Sequence, residues 1–294
     1  MSKPKLPGIP EAFSLFGEPL YPQPMRPEVY DTQLKHYEKA VIDWEKTPKD
    51  PDAIIWLGRR TAYLGRVREA VGIFSLGVKL HPADSRMYRH RGHRYITLRL
   101  FDLAIDDLEK AATLETGKDD AIEQDGLPND RGIPVSSLQS NIFYHLGLAY
   151  YLVGDLDASL GAYEQCIISL KNPDNLVAGG YWKWMILRML GRDDEARDFV
   201  ASIEQGLDII ENHDYNDLLT LFAGKITPET MHEKAKSRGN LGIATTGYGI
   251  GNYYMVNGDE RKAAKIWREV LSTGNWPSFG YIAAETDLKR LSLI

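Results

Sequence analysis

The sequence holds a single cysteine, Cys166, among 294 residues. That excludes an internal disulfide and a cysteine-rich metal site, and it suits a reducing compartment. Nowhere is there a run of about 18 apolar residues, so nothing reads as a membrane span. The first ten residues carry prolines where a secretory signal would carry an apolar core, so they do not read as one and a cytoplasmic protein is expected. Positive charge is in deficit as well. Thirty-five Lys and Arg against 41 Asp and Glu leave a net charge of −6, the wrong balance for a general nucleic-acid binder. The signatures of catalysis and cofactor binding are missing too: no Gly-x-Ser-x-Gly, no phosphate-binding Walker loop, no Gly-x-Gly-x-x-Gly after a strand, no His-Glu-x-x-His. No cofactor is therefore expected, and an enzyme is the less favoured class.

What is present is a repeat. Leu57-Gly58 falls over Arg91-Gly92, Ala70 over Ala104, Phe74 over Leu108 and Gly77 over Ala111, each at an offset of 34 residues. A third copy carries Leu146-Gly147, Tyr150, Gly154-Asp155, Ser159 and Tyr163. A fourth carries Gly191-Arg192, Glu195-Ala196 and Val200, and a fifth Gly251, Tyr254, Gly258-Asp259, Ala263 and Trp267. Small residues let two antiparallel helices approach, and the large ones fill the gap to the next pair. An extra 21 residues separate the second and third copies, and a 67-residue offset separates the fourth and fifth. The second gap has room for a degenerate pair over 211–243, with an apolar helix through Leu218–Phe222, a stop at Gly224, and Thr227-Pro228 as cap and first helical position.

These positions, with Pro82 closing the first copy, resemble the bacterial-type tetratricopeptide repeat (TPR) family over residues 51–272. The fourth copy departs from the pattern, with Lys183 and Trp184 where leucine and glycine belong. The resemblance implies an all-α, right-handed superhelical solenoid of helix pairs spanning 51–277. Residues 1–27 hold seven of the 15 prolines and read as extended. Phe13, Leu15, Phe16, Leu20 and Tyr21 suggest that this segment packs on the solenoid, with the groove as one place for it. Residues 28–50 read as an N-terminal capping helix and 278–294 as a C-terminal one. The insertion, 116–139, is acidic and does not match the spacing of a calcium loop; it is expected to fold over the neighbouring groove.

The resemblance also implies that the first helix of each pair lines a concave wall. That wall would present Trp56, Arg59 and Tyr63; then Arg86, Arg89, His90 and His93; then Asn141, Tyr144, His145 and Tyr151; then Tyr181, Trp182 and Arg188; and last Tyr248 and Asn252. Helical spacing independently puts Arg86, Arg89, His90 and His93 on one face. A cationic, aromatic strip on an acidic protein suits an anionic, partly apolar ligand. The candidates are an acidic or C-terminal peptide of a partner protein or a small carboxylate, with neither nucleic acid nor membrane as partner. A homodimer is compatible with such an array. The same groups serve equally as solvated surface, as ion pairs with acids of the insertion, or as packing between repeats. Arg91 occupies a slot normally given to leucine and calls for an acidic partner, with Asp125 or Asp130 of the insertion as candidates. Cys166 reads as an inert core thiol, and the glycines of 247–251 as sites of close helix contact. The alternative function is an enzyme or metal-binding protein using His90, His93 and His145.

Overall fold

The computed structural model describes residues 8–293, apart from the Leu241 side chain; residues 1–7 of the expected extended segment and Ile294 of the expected last helix lie outside the described residues. It is an all-α array of helix pairs, and the 34-residue period is visible in the helices themselves. Helix α2 runs Pro51–Tyr63 and α4 Ser85–Thr97; α3 runs Val67–Leu80 and α5 Phe101–Glu115. Further along come α6 (Leu138–Val153), α7 (Leu156–Ser169), α8 (Pro173–Met189) and α9 (Asp193–Ser202). The degenerate pair is α10 (His213–Phe222) and α11 (Pro228–Ser237), followed by α12 (Gly239–Val256) and α13 (Glu260–Ser272). Helices α1 (Pro27–Lys46) and α14 (Phe279–Arg290) flank the array. The chain divides into two compact units, 1–107 and 108–294, with the boundary inside α5.

The pairing rule is physical and recurs at a 16-residue step. A Cβ added to Gly58 would come within 2.5 Å of the Phe74 ring, one on Gly147 within 2.8 Å of the Tyr163 ring, and one on Gly251 within 2.3 Å of Trp267. In each of these three pairs a large ring on the second helix therefore fills the space that a side chain on the first would need. The divergent fourth copy moves this contact. There Gly180 takes the ring of Phe199, with an added Cβ 2.8 Å from its tip, while Trp184 stacks on Phe222 at 3.8 Å. The turns between paired helices repeat as well. Gly65, Gly154, Gly191 and Gly258 all have φ between +72° and +90°, and the second copy holds Arg99 at the same position with φ +63°. A non-glycine residue there costs roughly 1–2 kcal/mol.

In the first unit, α1 packs on α2, and α3 packs on both α2 and α4. The N-terminal segment forms a short antiparallel hairpin, Ala12–Phe13 against Pro19–Leu20. It docks at the turn between α2 and α3. Pro22 lies against Gly65, and the Glu11 carboxylate accepts from the backbone N–H of Arg68 at 2.9 Å. Helix α3 has no side-chain cap of its own, so Glu11 supplies one from a distant part of the chain. Arg91 pairs with Asp107 through two 2.7 Å bonds and donates to Ser75 at 3.2 Å. This corrects the expected partner: the acid comes from α5, sixteen residues on, not from the insertion. The ion pair stands where the first copy has the apolar pair Leu57 and Ile73.

In the second unit the insertion is anchored rather than loose. Arg131 forms a two-point pair with Asp208 at 2.8 and 3.0 Å, and Asn172 donates to the Val135 carbonyl at 3.0 Å. The buried Asp174 accepts from three successive backbone N–H groups, of Ile210, Glu211 and Asn212, at 2.8–2.9 Å. That fixes the loop feeding α10. Cys166 is fully buried, donates to Asn175 Oδ1 at 3.5 Å, and burial pushes its thiol up to about 12, which leaves it protonated and unreactive.

Candidate ligand-binding faces

On the first unit, α2 and α4 lie side by side and present a cationic face. The Arg59 guanidinium sits 4.5 Å above the Trp56 ring, and its Nη2 donates to the Tyr63 hydroxyl at 3.5 Å. Arg60 covers the same Trp56 ring at 5.0 Å and Tyr63 at 5.7 Å. Arg89 Nη1 donates to His90 Nδ1 at 2.9 Å, so that nitrogen carries no proton. Arg94, which sequence spacing had not singled out, completes the group. Burial, opposed by the Tyr63 hydroxyl and reinforced by the charges of Arg89 and Arg59, pushes its guanidinium down to about 10. Arg59, Tyr63, His93 and Arg94 are each half-buried.

Other members of the predicted strip are placed differently. Arg86 is held by Asp84 and by Asp52, each at 2.6 Å, and these two bonds keep its pKa well above the usual guanidinium value. His90 is buried and stacks on Phe74 at 5.3 Å, against the second helix of the preceding pair rather than on an open wall. Between α1 and α2 a cavity of about 390 Å³ is lined by Trp56, Arg60, Lys39 and three aspartates. Those aspartates are already engaged: Asp43 by Lys39, Asp50 as the cap of α2, and Asp52 by Arg86.

The predicted wall of the second unit is interior. Tyr181, Trp182, Tyr248 and Asn252 are at most 1% exposed, and His145 is 4%; these residues line no open surface, which corrects the expectation for them. The reason is that α10, α12 and α14 close over α6 and α8. Trp182 Nε1 donates to the Tyr144 hydroxyl at 3.0 Å, which meets Tyr215 of α10 at 3.4 Å. Tyr181 stacks on Tyr215 at 5.0 Å. Phe279 of α14 stands edge-on to His145 at 5.5 Å, and His145 Nδ1 donates to the Asn141 carbonyl at 2.5 Å. Asn141 itself donates to Glu123 of the insertion at 3.2 Å. Arg188 is spent on Asp193 at 2.7 Å and on the Val256 carbonyl at 2.9 Å.

A buried polar chain runs through this interior. Asn252 Nδ2 donates to the Tyr151 hydroxyl at 3.3 Å, Tyr151 meets Tyr248, and Tyr248 donates to Asp287 Oδ2 of α14 at 2.6 Å. With the Tyr248 hydroxyl donating to Asp287, Tyr151 is the donor in the middle contact. Burial raises the Asp287 pKa against the opposing hydrogen bond from Tyr248. Burial likewise holds Tyr151 and Tyr248 well above the usual phenol range. Asp287 lies in a helix with no repeat motif, so sequence reasoning had no signal for it. Arg94 had one: it sits 34 residues after Arg60.

Among the described residues no three histidine, cysteine or carboxylate side chains converge to hold a metal ion. Of the proposed histidine trio, His90 and His93 belong to the first unit and His145 to the second. No helix among the described residues is long and apolar enough to cross a membrane.

The 34-residue helix period, the ring-on-glycine contact and the left-handed turn residue together define a repeat of helix pairs, similar to the arrangement in TPR-like proteins. No protein-family model matches the chain, and no curated protein does. Among solved structures it is similar to YrrB, described as a TPR protein with an unusual peptide-binding site. Identity is 15% over 81% of this chain and 93% of that one, with a TM-score of 0.45. It is also similar to MamA, at 20% identity over 58% and 84% of the two chains and a TM-score of 0.43. A third similar structure is that of the kinesin light chain TPR-like repeats of Podosopora anserina, at 14% identity over 77% and 95% and a TM-score of 0.44.

Proposed function

We propose that the chain is a protein-binding module whose docking face is the α2–α4 surface of the first unit, and that it takes an acidic peptide segment of a partner. One observation carries this reading: Arg59 stacks on Trp56 and donates to Tyr63, and burial together with the charges of Arg89 and Arg59, opposed by Tyr63, depresses the Arg94 guanidinium beside them. A cation in that setting gains most from an arriving carboxylate, since guanidinium offers paired donors matched to its geometry. Trp56 and Tyr63 add apolar area beside the charge. The acidic remainder of the molecule, at −6 overall, discourages anions elsewhere and directs them to this patch.

The test is a titration of a fluorescein-labelled, Glu-rich 12-residue peptide, amidated at its C-terminus, followed by anisotropy. Binding should weaken as salt rises from 50 to 300 mM. An Arg59→Ala, Arg94→Ala double variant with unchanged helical content should bind at least tenfold more weakly. Equal affinity of the two proteins would remove the proposal. A strong preference for the same peptide with a free C-terminus would identify a chain end as the ligand, and competition by millimolar citrate would point to a small carboxylate.

A further inference from the structure

The second unit fills its own inner face with α14, and the way it does so has the chemistry of a ligand more than of a cap. A helix that only seals the end of a repeat array needs an apolar inner side and a polar outer one. Helix α14 packs on α12 and α13 and reaches α6, yet its buried residues include Glu285 at 1% exposure and Asp287 at 3%. Carboxylates inside a protein are costly unless received by donors, and here a receiving set exists. Tyr248 donates to Asp287 and is itself backed by Tyr151 and Asn252. Arg290 closes the contact from the α14 side, donating to the Tyr151 and Leu152 carbonyls at 3.1 and 3.3 Å. At the other end of α14, Phe279 enters between Tyr144 and His145. Between the two ends stand small residues. Gly280 meets α12 so closely that an added Cβ would lie 2.6 Å from the Ala244 carbonyl oxygen, and Ala283 and Ala284 are fully buried.

Phe279, Gly280, Ala283, Ala284 and Asp287 follow one another in alternating steps of one and three, so a single stripe of α14 makes all these contacts. An aromatic anchor, a small-residue middle and a carboxylate end form a recognition pattern for one helix laid on a face. The receiving face is not fully satisfied, because the buried Asn252 Oδ1 has no hydrogen-bond partner among the described residues. We infer that α14 is a resident, displaceable occupant of the surface built by α6 and α12, and that this surface docks a partner's short acidic helix with the same aromatic, small and carboxylate order. The partner's carboxylate takes the Tyr248 hydroxyl, its aromatic residue takes the place of Phe279, and a donor on its stripe reaches Asn252 Oδ1. Because α14 is tethered through the short segment after α13, it competes at high effective concentration, and the free site is scarce until α14 is weakened.

The experiment uses the full chain and a fluorescein-labelled synthetic peptide with the sequence of residues 276–291. Gly280→Leu drives a side chain into the α12 backbone; Phe279→Ala only removes the aromatic anchor. Hydrogen exchange should show faster exchange in α14 in both variants while α6 and α12 stay protected. The peptide should bind Gly280→Leu at least tenfold more tightly than wild type. The same peptide with alanine in place of its Asp287 equivalent should lose at least tenfold. Release of α14 without a gain in peptide binding overturns the inference. So does an α14 that stays protected in both variants, or one that leaves in both only together with α6 and α12. Should Gly280→Leu fail to fold, Phe279→Ala decides on the same readings.

Discussion

On the first unit Arg59, Tyr63, His93 and Arg94 stand half-exposed along α2 and α4, whereas in the second unit Tyr248 and Asn252 are buried, Tyr248 bonded to Asp287 of α14 and Asn252 to Tyr151 of α6. Position for position, Arg89 of the second copy corresponds to Tyr144 of the third and Tyr248 of the fifth. His93 corresponds to Asn252. The same backbone slot thus carries guanidinium in one half and phenol in the other. A phenol can be buried once its hydroxyl finds a partner; a guanidinium needs an anion or water. Arg89 is buried all the same, with His90 as its acceptor, so the contrast rests on the other slot, where His93 is half-exposed and Asn252 is core.

The largest effect that would break this comparison concerns the ion pair of the first unit. Asp107→Ala leaves the half-buried Arg91 without its carboxylate and should destabilise the protein by roughly 3–5 kcal/mol, read as a lowered midpoint in urea. Replacing both residues by leucine restores the apolar pair of the first copy and should recover most of that loss. If the single and double variants were equally unstable, the first unit would not tolerate the standard repeat core at that slot. Next comes Asp287→Asn in the second unit. Burial raises the Asp287 pKa, so its contribution to stability is complete at acid pH and is lost as pH rises through that elevated value. The asparagine variant should melt higher than wild type at pH 8, and the gap should close towards pH 4. A gap that widened on acidification would mean that the ionised carboxylate is the better partner of Tyr248 and Arg290. The smallest effect is expected from Arg99→Gly. Relief of a left-handed arginine, less the flexibility glycine adds to the unfolded chain, should stabilise by about 0.5–1 kcal/mol, a rise of a few degrees in Tm by calorimetry. No rise would show that contacts of Arg99, such as its 2.7 Å bond to the Thr97 carbonyl, offset the strain.

The repeat was legible because it is local. Gly58 and Phe74, or Gly147 and Tyr163, are sixteen residues apart, and any helix pair of that length brings them together. The cationic character of α2 and α4 was legible for the same reason. Closure of the second unit was not. It depends on Tyr151 meeting Tyr248, 97 residues away, and on Phe279 and Asp287 arriving from a helix with no place in the period. Periodicity assigns Tyr181 and Trp182 to a face of their helix and is silent on what later covers that face. The Arg91 partner is hidden for a smaller reason: Asp107 is one of several acids along α5, and nothing in its spacing separates it from the solvated ones.

Asp52 and Arg86 occupy the same place in successive copies, one repeat apart, and they bind each other at 2.6 Å. An exposed pair of this kind adds well under 1 kcal/mol to stability, but it makes the order of the copies matter. Two tandem first copies would set aspartate against aspartate at that junction, and two second copies arginine against arginine. At this junction the two copies are therefore not interchangeable, and alternating them in a longer scaffold keeps opposite charges in contact.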